Sequence, residues 1–357
     1  MQPKKTPVFD GHNDVLWRLW NAKSAEAERQ FVHGGGAGHL DLPRMAKGGF
    51  CGGLFAVFIP SSGLGGLDDL MTGAKYDVPL PGVIPARDAL PVALAMIDIL
   101  FRLERASAGK FRVCRSVADI RGAMAAGAVG AVLHIEGAEA ISADLNGLEA
   151  LYQLGLRSIG PVWSRPNVFA HGVPFRFPST GDTGPGLTDA GKALVRACDE
   201  LGIAIDLSHM SEKGFWDVAK ISKKPLIATH SNVHVICPHS RNLSDKQLAA
   251  IAETGGMAGL NFATCFLRPD GQNGNVGDPT SIDLMLRHLD HMMGILGEDH
   301  AGFGSDFDGA AVPEAIGDVA GLPVLVAAMR AHGYGEVLIR KLCHENWLAV
   351  LQRTWGV

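Results

Sequence analysis

The stretch 203–230, IAIDLSHMSEKGFWDVAKISKKPLIATH, reads as strand, helix, strand. An apolar run (203–209, IAIDLSH) is followed by an amphipathic segment (211–220) and by a second apolar run (225–230, PLIATH). Short apolar runs joined by a helix are the pattern of parallel strands buried on both faces. Both runs end in histidine, His209 and His230.

The same alternation repeats outward from this unit. Further runs lie at 7–12 (PVFDGH), 53–59 (GLFAVFI), 130–136 (GAVLHIE), 157–163 (RSIGPVW), 257–262 (MAGLNF) and 301–306 (AGFGSD), making eight with the first pair. Amphipathic segments at 87–109, 145–155, 187–201, 244–254 and 280–296 separate them, and 334–354 closes the chain. Eight such units predict an α/β fold, a TIM-type (β/α)8 barrel with long loops at its C-terminal face, as one domain over residues 1–357. The stretch 33–53 reads as irregular and glycine-rich, while 60–85 and 164–186 read as long excursions. Loops of that length in a compact domain usually serve function. Residues 111–114 have the character of an additional short strand.

Composition narrows the function. The 357 residues are 47% hydrophobic and 19% charged, enough for a large core and too apolar for wholesale disorder. A net charge of −5 without a Lys/Arg-rich stripe argues against a nucleic-acid footprint. The six cysteines, Cys51, Cys114, Cys198, Cys237, Cys265 and Cys343, are scattered without a CxxC pair, which favours buried thiols over a disulfide framework. No apolar signal region precedes the first strand, and no run approaches the roughly 20 apolar residues a membrane span needs. A soluble cytoplasmic protein is expected.

Five of the eight runs end in groups able to bind metal or move protons. They close on His12-Asn13-Asp14, His134-Ile135-Glu136, Ser208-His209, Thr229-His230 and Asp306. Barrel active sites lie at the C-terminal ends of the strands, so these residues would meet at one mouth. Charged side chains are rarely buried unless paired or bound to metal. His12 and Asp14, two apart, share a face of an extended strand and either grip a divalent ion or mark an Asx-type turn. Glu136 either bridges two metals or forms a buried salt bridge. His209 and His230 would each read as a core histidine alone; on successive strands they favour a ligand role. Shared through Glu136, the five provide three donors per metal and leave open positions for water, as a catalytic site requires.

These residues, in this order, resemble the membrane (renal) dipeptidase family, peptidase family M19, within the amidohydrolase superfamily. The resemblance spans FDGHND at the start, HLDLPRMAKGG at 39–49, HIEGAEAI at 134–141, LYQLGLR at 151–157, DLSHMS at 206–211, ATHSN at 228–232, SRNLSD at 240–245 and GSDFDG at 304–309. It implies a zinc-dependent dipeptidase with two Zn2+ per chain, bridged by Glu136 and a hydroxide. His12 and Asp14 would hold the first ion, His209 and His230 the second. Arg241 would bind the substrate carboxylate, Asp306 would be the acid/base, and Asp308 a supporting or loop-capping residue. L-Xaa-L-Xaa and L-Xaa-D-Xaa dipeptides are the implied substrates. Relatives of this kind place a histidine after the fourth strand to polarise the scissile carbonyl. Here GPVWSRPN puts Trp163 at that position. Either Trp163, Arg165 or His171 takes over, or the subgroup acts on another substrate. Competing readings are a binuclear hydrolase of an N-acyl amino acid, lactam or lactone, and a non-catalytic metal-binding scaffold. Relatives are often dimers, so a homodimer is the expected assembly. The C-terminus, LAVLQRTWGV, carries no hydrophobic anchor tail.

Overall fold

The computed structural model describes residues 5–61, 67–274 and 279–356; part of the 60–85 excursion therefore lies outside the described residues. Eight parallel strands form the barrel: β1 (Val8–Asn13), β2 (Phe50–Phe58), β3 (Val129–Glu136), β4 (Leu156–Gly160), β5 (Ala204–Ile205), β6 (Ile227–Ala228), β7 (Met257–Leu260) and β8 (Ala301–Phe303). Each pairs with its sequence neighbour, β1 pairs with β8, and a bridge between Asp206 and Ile227 joins β5 to β6. That bridge closes the ring. The expected extra strand is real: Phe111–Val113 pairs with the first half of β3, and β4 takes over the same edge from Leu133 onward.

Several strands are shorter than the apolar runs. Residues 161–163, 207–209, 229–230 and 304–306 have left the ladder. His209 and Asp306 sit in the left-handed region, with φ of 66° and 60°. At His209, His230 and Asp306 the polar ends thus lie beyond the ladder, whereas His12 and Glu136 stay on β1 and β3. The stretch 33–53 is more regular than its glycines suggest. Helix Leu42–Gly48 starts on Asp41, whose carboxylate accepts from the Arg44 amide, and β2 follows at once.

Two apolar layers surround the ladder. Inside, Phe9, Leu54, Val132, Ala204, Ile227 and Met257 pack on Trp347 and Leu351 of the C-terminal helix Asn346–Trp355. Trp347 donates to the Phe303 carbonyl at 2.8 Å. This plug fills the bottom of the barrel and leaves the top for chemistry. Outside, the helix Ile282–Leu296 buries Leu284, Met285, Leu289 and Met292 in the larger cluster that covers the sheet. The 60–85 and 164–186 excursions meet over the mouth through the antiparallel pair Tyr76–Asp77 and Arg176–Phe177. Cys51, Cys114, Cys198, Cys237 and Cys343 are buried free thiols, and Cys265 is also buried. Among the described residues no helix is long and apolar enough to cross a membrane.

The same helix carries a buried histidine. His288 Nδ1 accepts from the Val233 amide at 3.2 Å, and Nε2 donates to the Leu267 carbonyl at 2.9 Å. Nδ1 can accept only while the ring is neutral, and burial lowers its pKa from 6.5 to about 4. The unfolded chain therefore binds the extra proton first, and folding loses stability as pH falls from 6.5 to 4, by up to about 3 kcal/mol from this group. Urea unfolding with chelator present should show a shallower pH dependence in His288→Gln over that range, by close to one proton. Parallel curves would refute this account.

Candidate active site

On β3 the inward positions climb from Val132 through His134 to Glu136, one residue per about 6.6 Å of rise. The floor is apolar, the middle carries an imidazole, and the top a carboxylate. β1 brings His12 to the same level by a register break between Asp10 and Asn13. An irregularity of this kind re-aims side chains at a barrel rim.

Three imidazoles converge on one oxygen. Glu136 Oε1 lies 3.1 Å from His209 Nε2, 3.3 Å from His230 Nε2 and 3.7 Å from His12 Nε2. His12 Nε2 is 3.3 Å from Asp14 Oδ2, and the His12 and His230 rings stack with centroids 3.8 Å apart. Asp306 joins His12 and Asp14 in a second cluster of close ligand atoms. All six residues are buried, with Asp306 the most accessible at 9%. Asp14 stands at the N-terminal end of helix Val15–Ala22, just beyond β1, with its side chain making no capping bond.

Burial and mutual repulsion govern the charges. Burial, with Asp14 and Asp306 adding to it, holds the Glu136 carboxyl well above the usual range. The same burial, with Asp14, raises Asp306 to about 6. Burial opposes a charged His12, but Glu136 and Asp14 outweigh it and push the ring to about 10. His209 and His230 are held neutral by burial and by the nearby Arg241 and His12 charges. Both ring nitrogens of His12 lack a hydrogen-bond partner among the described residues. Buried imidazoles and carboxylates with orphaned donor atoms, and no sulfur among them, fit divalent cations with oxygen and nitrogen ligands.

Several supporting residues escaped the sequence reading. Asn261 donates to Asp306 Oδ2 at 2.8 Å. The Ser164 hydroxyl meets His209 Nδ1 at 2.8 Å, and the Thr229 hydroxyl meets His230 Nδ1 at 2.7 Å. Asp10 accepts from the Ser305 amide and hydroxyl, tying β1 to the turn that carries Asp306. Asp308, which the sequence reading did name as a supporting or loop-capping residue, is also left-handed at φ 69° and accepts from Arg18 and from the His39 amide. Asn261 and Asp206 are polar residues inside apolar runs, the signal available in the sequence.

Above the cluster opens a cavity of about 540 Å3. Asp14, Glu136, His209 and Asp306 line its floor, and Trp17, Phe58, Met71, Trp163, Phe175 and Phe266 its walls. Trp163 is therefore a wall residue, its ring 4.9 Å from Phe58 and 5.7 Å from His209. Arg241 lies outside the lining, fully buried, its guanidinium 5.3 Å from the Phe266 ring. It donates to the His230 carbonyl at 3.1 Å, and its Nε has no partner among the described residues. His171 is half-buried and does not line the cavity. Arg165 does not either: it pairs with Glu139 at 3.1 Å and donates to Ser61 and the Ile59 carbonyl behind Trp163. Breaking such a pair strands a buried charge. Arg165→Met should cost about 3 kcal/mol of stability, read by denaturant unfolding, and a variant as stable as the parent would show the pair to be dispensable.

Comparison with known proteins shows the family to which the chain belongs. Residues 3–355 match the family described as membrane dipeptidase (peptidase family M19). A metallopeptidase from Rhodobacter sphaeroides, solved with a phosphinate mimic of the dipeptide L-Ala-D-Ala, is 55% identical with a TM-score of 0.96, covering 99% of this chain and 100% of that one. A dipeptidase structure of family M19 is 56% identical over the same shares, also at 0.96. An uncharacterised protein from the pqqA 5′ region of Klebsiella pneumoniae is 45% identical across 75% of this chain and 98% of its own length. The chain belongs to the membrane dipeptidase family, peptidase family M19, and is a metallo-dipeptidase.

Proposed function

We propose that the chain hydrolyses L-Xaa-L-Xaa and L-Xaa-D-Xaa dipeptides with two Zn2+ per chain. The carrying observation is the convergence of His12, His209 and His230 on one Glu136 oxygen, beside Asp14, at the floor of an aromatic-walled cavity. His12 and Asp14 would hold one ion, His209 and His230 the other, and Glu136 both. An ion held there would supply an acidified water and a Lewis-acid pull on the scissile carbonyl. The relative solved with an L-Ala-D-Ala mimic supports tolerance of a D-configured second residue.

The chain's own groups do the rest. Asp306, raised to about 6 and steadied by Asn261, takes a proton from the nucleophile and returns it to the leaving amine. Arg241, whose charge acts on both Glu136 and Asp306, provides the pull for the substrate carboxylate. Trp163, Phe58 and Phe175 exclude water and press on the substrate side chain. Arg165, held beside Trp163, acts on the wall's position rather than on the substrate. Buried thiols fit a reducing, cytoplasmic setting, and the family resemblance supports a homodimer.

A panel of L,L and L,D dipeptides, with N-acetylated dipeptides as controls, tests the reading. Zinc-loaded protein should cut the free dipeptides and lose activity on chelation. Asp306→Asn should lose at least about 100-fold in kcat while keeping its zinc. An uncut panel with two ions bound would sink the dipeptide reading and direct the search to lactones and N-acyl amino acids.

A further inference from the structure

We propose that Asp206 and Thr229 form a two-residue relay that fixes the tautomer of His230, making Thr229 and Asp206 positioning residues for the metal site. The inference rests on the metal-binding reading of His230. Neither residue faces the cavity, and neither is among the ligands described above.

Hydrogen-bond direction carries the argument. Asp206 Oδ1 accepts from the backbone amides of Ser208 at 2.9 Å and Thr229 at 2.8 Å. Its other oxygen, Oδ2, lies 2.6 Å from the Thr229 hydroxyl. A hydroxyl has one proton, and facing a carboxylate at that distance it must donate, since two lone pairs would otherwise be forced together. The same oxygen sits 2.7 Å from His230 Nδ1, with its donor capacity already used. It can only accept there, so Nδ1 carries the ring proton. Nε2 is left with a bare lone pair, directed at Glu136 Oε1 and His209 Nε2, at 3.3 and 3.1 Å. A metal ligand must present such a lone pair, and outer hydrogen bonds of this sort are known to set it.

The relay is also held rigidly in place. A Cβ on Gly259 or Gly304 would come within 2.0 or 1.9 Å of the Thr229 carbonyl oxygen, so two neighbouring segments press on that backbone. Asp206 and Thr229 are fully buried, and Asp206 forms the bridge that closes the barrel. The element that completes the ring therefore also orients a metal donor.

The test reads the ring directly. In metal-free protein, with its fold checked by circular dichroism, nitrogen spectra of isotope-labelled histidine should show His230 protonated at Nδ1 and bare at Nε2. Zinc affinity, measured by competition with a chromophoric chelator, should fall about 10- to 100-fold in Thr229→Val, and Thr229→Ser should restore it to within a few-fold. A His230 protonated at Nε2 in the parent overturns the relay, as does folded Thr229→Val with parental zinc affinity. If Thr229→Val does not fold, the parent spectrum decides alone. Because that spectrum needs no metal, a parent that bound no zinc would count against the metal reading and leave the relay separately decided.

Discussion

One carboxylate oxygen organises this molecule. Glu136 Oε1 stands within 3.7 Å of three imidazole nitrogens that arrive from three different strand ends. Asp14 and Asp306 crowd the same volume, out of water, and burial makes each added negative charge harder to carry. A group of acids this dense is held together only by countercharge. His12, driven to about 10 by its carboxylate neighbours, supplies part of it, and Arg241 supplies more from behind Phe266. Divalent cations would replace the protons of such a cluster and relieve the same strain.

The scaffold answers that constraint in layers. The lower barrel is sealed by Trp347 and Leu351 against Phe9, Leu54, Val132 and Met257, so rigidity comes from apolar packing away from the chemistry. The middle layer is polar: His134 Nδ1 meets the Ser158 hydroxyl at 3.0 Å while its Nε2 has no partner among the described residues, and Asp206 collects amide and hydroxyl donors. The upper layer carries the converging donors. Each step upward exchanges packing for hydrogen bonds, which hold rings at fixed angles where apolar contact would let them slide. The tight turns at His209 and Asp306 belong to the same solution: a left-handed residue after a short strand points its side chain across the mouth.

Much of this was legible before any coordinates. The eight apolar runs all carry barrel strands, because a strand buried on both faces must be continuously apolar. The strand ends were less legible. Runs such as 203–209 stay apolar beyond the two ladder residues Ala204–Ile205, since the turn that follows is buried as well. Helix Leu42–Gly48 hid in a glycine-rich stretch because its cap, Asp41, and its stop, Gly49, are single residues. Arg165 stands two positions from Trp163 and shares its neighbourhood in sequence, yet the barrel turns it towards Glu139, which lies 26 residues upstream.

The sequence by itself determined the kind of fold, the family, and which residue types sit at the strand ends, because periodicity and short motifs are local properties of the chain. Tertiary structure alone decided which of those groups meet. His12 and Asp306 are nearly the whole chain apart and share a cluster only because β1 pairs with β8. The direction of the Asp206–Thr229–His230 bonds, the placement of Arg241 behind Phe266 and the aromatic wall with Trp163 are likewise products of closure. They depend on distances between segments that no local pattern encodes, and ring closure is the physical event that sets them.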